Sequence, residues 1–187
     1  MADRHPAAPE ERRRRFEAVY AANYGPVLGY LLRRTANSDD AADVLAETFL
    51  TAWRRLDDVP GGDTARLWLY GVARRLLANH RRGERRRSAL ADRLRADLAA
   101  APPPAPPGGD LAEVARALRR LPATDQELLT LVGWEGLDAG QLAVTLGCSR
   151  NAARIRLHRA RRRLTAQLAA GPPPRPGRVP AAKGDLA

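Results

Sequence analysis

Residues 137–164 read LDAGQLAVTLGCSRNAARIRLHRARRRL, and the reading of this stretch decides the fold. It predicts two short helices around a tight turn. Asp138 sits where a helix cap belongs, with Gln141 three residues on to complete a capping box. Leu142, Ala143 and Leu146 give the first helix an apolar side. Gly147 suits the left-handed position that ends a helix, and Ser149 can cap the next one. On a 3.6-residue period, Ala153, Leu157, Ala160 and Leu164 make an inward stripe. Asn151, Ile155, His158 and Arg162 fall opposite, flanked by Arg154 and Arg159.

Residues 149–164 contain seven arginines and no acid. An ordinary surface helix mixes charge signs, and this one does not. A helix with an apolar back and a basic front, set by a glycine turn against a shorter helix, fits a helix-turn-helix lodged in a DNA major groove. Arg150, Asn151, Arg154, Ile155, Arg156, His158, Arg159 and Arg162 are its candidate contact residues.

The rest of the composition agrees. The 187 residues suffice for one ordinary domain or two small ones, and the formal net charge is +11. That balance implies a polyanionic partner, either nucleic acid or an anionic membrane surface. No apolar run approaches the roughly 20 residues of a membrane span. The N-terminus, MADRHPAAPEERRRRF, has no apolar stretch after its charges and is not a secretory signal, so the expected location is cytoplasmic. The one cysteine, Cys148, excludes an internal disulfide and a cysteine zinc site; in the turn it is expected to pack inward. His5, His80 and His158 are scattered, and no HExxH, phosphate-binding loop or nucleophile elbow occurs. No catalytic residue, metal, cofactor or small-molecule substrate is expected, and the protein does not read as an enzyme.

Taken in order, residues 1–14 read as a disordered basic N-terminus, with the run Arg12 to Arg15 solvated. Helical spacing begins at Phe16, Val19 and Tyr20 and resumes at Val27, Leu28, Leu31 and Leu32, with Gly25-Pro26 predicting a break or a helix start between them. Asn37 to Asp40 open the next helix, whose apolar side is Val44, Leu45, Thr48, Phe49, Ala52 and Trp53. Asp43 and Glu47 lie one turn apart beside it. Solubility and a protein-docking face explain these two acids equally well. After a loop at residues 57–64 comes ARLWLYGVARRLLANHRRGERRR, in which Trp68, Arg75, Asn79 and Arg82 share helical spacing. Aromatics among cations suit stacking on unpaired bases, although for at least one of Trp68 and Tyr70 a place in the core is the better reading. The stretch APPPAPPGG at 101–109 marks a domain boundary. Asp110 with Glu113, and Thr124 with Glu127, are read as caps of two further helices, and residues 169–187 as a disordered tail. No strand-like alternation appears. The chain reads as all α: two small helical domains, residues 15–87 and 110–168, joined at 88–109 by a flexible proline-rich linker.

Two separated blocks then resemble one family, the extracytoplasmic-function (ECF) sigma factors of the bacterial sigma-70 family. DVLAETFLTAWRRL, residues 43–56, is similar to the family's region 2 helix that binds core RNA polymerase. ARLWLYGVARRLLANHRR, residues 65–82, is similar to the helix that melts and reads the −10 promoter element. Residues 121–164 resemble region 4, which binds the −35 element. The resemblance implies that Asp43, Glu47, Phe49 and Trp53 dock on polymerase. It also implies that Asp63, Thr64, Trp68, Arg74, Arg75, Asn79 and Arg82 meet −10 DNA. Core RNA polymerase, promoter DNA and an anti-sigma factor are the implied partners. The sequence departs from the family pattern at Ala46, Arg75, Asn79, Gln141 and Asn151-Ala152, and these departures bear on which promoter is read. The rival reading is a stand-alone helix-turn-helix regulator; it leaves the arginine-aromatic helix at 65–82 unexplained. A protein that binds nucleic acid or membrane by charge alone is the second rival.

Overall fold

Seven α-helices and a 3-10 turn make up the described residues of this computed structural model, which are 9–35, 37–95 and 110–170; no strand occurs among them. The first unit holds α1 (Pro9–Leu32), α2 (Ser38–Arg54) and α3 (Thr64–Arg95); the second holds α4 (Asp110–Arg119), α5 (Ala123–Gly133), α6 (Ala139–Leu146) and α7 (Arg150–Ala169). The expectations for residues 1–8, 96–109 and 171–187 lie outside the described residues.

Helix α1 starts earlier than the sequence suggested. Residues 9–14, expected to be disordered, are its first turns. Pro9 needs no helical N–H partner there, and Glu10 and Glu11 sit at the positive end of the helix dipole. The arginine run is not uniformly solvated either. Arg13 and Arg14 face solvent, but Arg12 donates to the Trp53 carbonyl at 2.9 Å and Arg15 to the Val59 carbonyl at 2.7 Å. Nor does the helix break at Gly25-Pro26. An interior proline costs about 3 kcal/mol. Val27, Tyr30 and Leu31 just beyond it are fully buried, and each large apolar side chain so placed contributes about 1.5–3 kcal/mol, which offsets that cost.

Asn37 caps α2 by accepting the Asp40 N–H at 2.7 Å. The buried face of α2 is Ala41, Val44, Leu45, Thr48, Phe49 and Ala52. Helix α3 buries Leu67, Leu69, Tyr70, Ala73 and Leu77 and continues to Arg95, past residue 88 where the linker was expected to begin. Helix α5 starts at Ala123, so Thr124 is not its cap; the Pro122 carbonyl accepts the Asp125 and Gln126 N–H groups instead. Glu127 is thereby released to face α1.

The helix-turn-helix is built as its sequence dictates. The Asp138 carboxylate accepts from the Gly140 and Gln141 N–H groups at 2.6 and 2.9 Å, and Gln141 reciprocates on the Asp138 N–H at 2.9 Å. The bonds from Gln141 and then Gly140 hold the Asp138 carboxyl below the usual carboxylate range. Gly147 has φ +63°, and Ser149 Oγ accepts the Ala152 N–H at 3.2 Å. Ala153, Leu157 and Ala160 are buried, and Cys148 packs against the core.

The two units touch. One buried core runs through both, and α3 packs on α6. At the crossing, a Cβ on Gly71 would lie 2.9 Å from the Thr145 carbonyl oxygen, so only glycine lets the helices approach this closely.

Candidate nucleic-acid interface

Each of the eight candidate side chains on α7 is exposed, from Arg150 to Arg162. The buried alanines and Leu157 fix the helix by its back, and of the candidate residues Arg156 and Arg159 line the cleft shared with Arg74 of the first unit. Ile155 stands in the middle of that front at 45% exposure. Arg163, at the edge, is held by Asp125 at 2.5 Å, and Asp125 is itself buried.

Helix α3 carries the second basic surface. Arg75, Asn79 and Arg82 are exposed, and Arg82 donates to Asn79. Trp68 is half-buried, with the Arg55 guanidinium 6.0 Å from its ring. Asp63 and Thr64 are exposed where α3 begins. Tyr70 belongs to the core. Arg74 departs from the expected set: one residue before Arg75, it turns toward the second unit, where its Nε is buried.

On α2, Asp43 and Glu47 are exposed and Trp53 is partly so, its ring against Phe16 at 5.2 Å and under Arg12 at 5.4 Å. Phe49 does not belong to that surface. It is buried against Tyr20, 4.7 Å between ring centres, and Phe16, 6.5 Å away edge-on. Leu50, one turn beyond Glu47, is the exposed apolar residue there. The spacing 43, 47, 50 is the signal that points to it.

Between the units lies a cluster of charge that sequence reading did not find. Arg34, its side chain 4% exposed, bonds Glu127 through Nε at 3.1 Å, Glu135 through Nη1 at 3.1 Å and Thr130 through Nη2 at 2.9 Å. Its guanidinium lies 3.8 Å over the Tyr30 ring. The Tyr30 hydroxyl donates to Glu127 at 2.7 Å, and Arg33 reaches Glu135 at 2.7 Å. Burial, and then the neighbouring Glu127, push the Tyr30 phenol far above its ordinary pKa; burial and then Glu135 raise that of Tyr70. The first unit supplies the cations and the second the carboxylates. Nothing in the local pattern of either segment announces the pairing.

Residues 19–87 match the family Sigma-70 region 2, and residues 111–164 match Sigma-70, region 4. The ECF RNA polymerase sigma factor SigL of Mycobacterium tuberculosis is 32% identical over 159 residues, covering 81% of this chain and 87% of that protein. The chain belongs to the ECF branch of the sigma-70 family. Within that family, EcfG of Rhodopseudomonas palustris is 30% identical over 139 residues, covering 74% of this chain and 77% of its own length. Among solved structures, CnrH in complex with the cytosolic domain of CnrY is 28% identical with a TM-score of 0.57, covering 86% of this chain and 91% of that one. RpoE of Bartonella quintana, solved with the anti-sigma factor NepR, shares the fold at 23% identity and a TM-score of 0.57, over 87% of this chain and 99% of that one. In family terms, the first unit is region 2, the second is region 4, and the charged cluster is the seam between them. Among the described residues no helix is long and apolar enough to cross a membrane, and no group of His, Cys, Asp and Glu could hold a metal ion.

Proposed function

We propose that this sigma factor binds core RNA polymerase through α2 and directs it to promoters by reading −35 DNA with α7 and opened −10 DNA with α3. The observation that carries the reading is the pair of basic faces on separate units: α7 capped and backed for groove insertion, and α3 with Trp68 beside Arg75, Asn79 and Arg82. In this reading Arg154, Arg156 and Arg159 pair bidentately with guanine, and the remaining arginines of α7 mostly contact phosphate, Arg163 being engaged by Asp125. Trp68 supports unpaired bases by stacking. Asp43, Glu47, Leu50 and Trp53 form the polymerase-docking face. The chain works without chemistry of its own. An anti-sigma factor is a proposed partner, because CnrH and RpoE were each solved with a protein bound, CnrY and NepR.

The two promoter elements are about 25 base pairs apart, on the order of 80 Å at 3.4 Å per pair. Helices that touch at Gly71 and Thr145 cannot serve both at once, so the seam must part on the promoter. The test is run-off transcription with purified core polymerase on a genomic promoter library. Specific initiation from a defined set of promoters supports the reading. Tight duplex binding without polymerase, and no initiation with it, supports the stand-alone regulator.

A further inference from the structure

The seam holds more positive charge than its carboxylates neutralise. A cavity of about 290 Å³ opens there between α3, α5 and α7, lined by Arg74 of region 2 and Arg156, Arg159 and Arg163 of region 4, with Asp125 and Glu127. Both acids are already engaged: Asp125 with Arg163 at 2.5 Å, Glu127 with Arg34 and the Tyr30 hydroxyl. Arg74, Arg156 and Arg159 form no ion pair among the described residues. The Arg74 Nε is buried and has no hydrogen-bond partner. A guanidinium cannot shed its proton, so three charges converge on one cleft and one of them has lost water at a donor atom.

We infer that this cavity is a binding site for a small oligophosphate anion, held by Arg74, Arg156 and Arg159 across the seam. The chemistry selects the class. Guanidinium forks pair bidentately with phosphoryl oxygens, and three forks from two directions suit an anion with several such oxygens. The volume lies near the lower end of the range for small-ligand pockets, which suits a di- or triphosphate group. A duplex cannot enter while the units remain together, so the ligand is a free small anion or the phosphate chain of a nucleotide. Bound there, it neutralises repulsion across the seam and stabilises the closed arrangement. It also occupies Arg156 and Arg159, which are proposed to touch the −35 element, so anion and promoter compete. The site itself stands independently of that DNA reading.

The experiment is calorimetric titration of the full chain with sodium tripolyphosphate, and in parallel with adenosine triphosphate, in phosphate-free buffer at fixed ionic strength. One site per chain is expected for tripolyphosphate, whether or not the nucleotide also binds. Arg74→Gln and Arg156→Gln should each weaken it at least tenfold, while Arg161→Gln, on the same helix but outside the cavity, leaves it unchanged. Arg34→Glu removes no ligand contact but sets a carboxylate against Glu127 and Glu135; it should abolish binding while helical circular dichroism is retained. Gly71→Leu, which pushes α3 from α6, serves as a second variant should Arg34→Glu not fold. Several weak sites per chain, equal loss with Arg161→Gln, undiminished binding with the seam forced open, or binding of the nucleotide without tripolyphosphate would each overturn the inference.

Discussion

Replacing Arg34 by alanine should open the molecule without unfolding either half. The side chain is 4% exposed and spends its donors on Glu127, Glu135, Thr130 and the Tyr30 carbonyl. Truncating one partner of a buried, hydrogen-bonded pair costs about 3–5 kcal/mol, because the other partner keeps its charge in a dry place. Here the stranded carboxylates have an escape. Glu127 and Glu135 sit on region 4, and parting the seam returns both to water. The cost therefore falls on the closed arrangement, shifting the closed-to-open ratio by roughly two to three and a half powers of ten. Arg33→Ala is the control: its side chain is 38% exposed, and buried Glu135 keeps its bond to Arg34 when Arg33 is removed, so the loss is smaller. The assay is small-angle scattering of both variants, together with amide exchange of α3 and α6. Arg34→Ala should raise the radius of gyration and the exchange at the α3–α6 crossing, with the helical signal unchanged. If Arg34→Ala lowered the melting temperature of region 2 while the radius of gyration stayed constant, Arg34 would be a core residue of one unit and the clasp would be refuted.

Four further outcomes follow from the geometry. Arg154→Ala should cost about 1–3 kcal/mol in promoter binding and relax the preference at one −35 position; Arg163→Ala should mainly destabilise region 4 by stranding buried Asp125, as promoter-variant titration and thermal melts would separate. Glu47→Arg should weaken the complex with core polymerase and leave the isolated fold intact, because the side chain is exposed; equal pull-down by variant and wild type would remove α2 from the docking face. Tyr30 and Tyr70 have folded pKa values above the unfolded value of about 10, so their stabilisation is complete below that pH and is lost as pH rises through the folded values. Phenolate absorbance and scattering followed together should show these two rings ionising only as the seam parts. Ionisation in the ordinary phenol range with the molecule still closed would count against the burial.

What the sequence made legible was local. Asp138 with Gln141, Gly147 and Ser149 each act within four residues of themselves, and each does what its chemistry predicts. The inward stripes of α2 and α7 follow from periodicity alone. Misreadings arose where distant packing overrules local preference. Pro26 is carried through α1 by the burial of Val27, Tyr30 and Leu31. Phe49 looked available because periodicity cannot say how deep a face lies once Phe16 and Tyr20 arrive from another helix. The seam left no trace at all. Arg34 and Glu127 are ninety-three residues apart, and nothing in either segment marks the other as its partner. Gly71 was the nearest hint, a glycine inside a helical pattern with no turn to make.

The length of α3 sets a ruler. Fifteen Cα steps separate Arg95 from Asp110, and a fully extended chain covers roughly 50 Å in that many. That is less than the distance between the two promoter elements. The stretch of α3 beyond residue 82 adds thirteen helical residues, about 20 Å of helix. Those helical residues add span that fifteen extended steps alone do not supply. Shortening that stretch by whole turns would limit how far apart two DNA sites can lie and still be held by one molecule, whatever the bases in either.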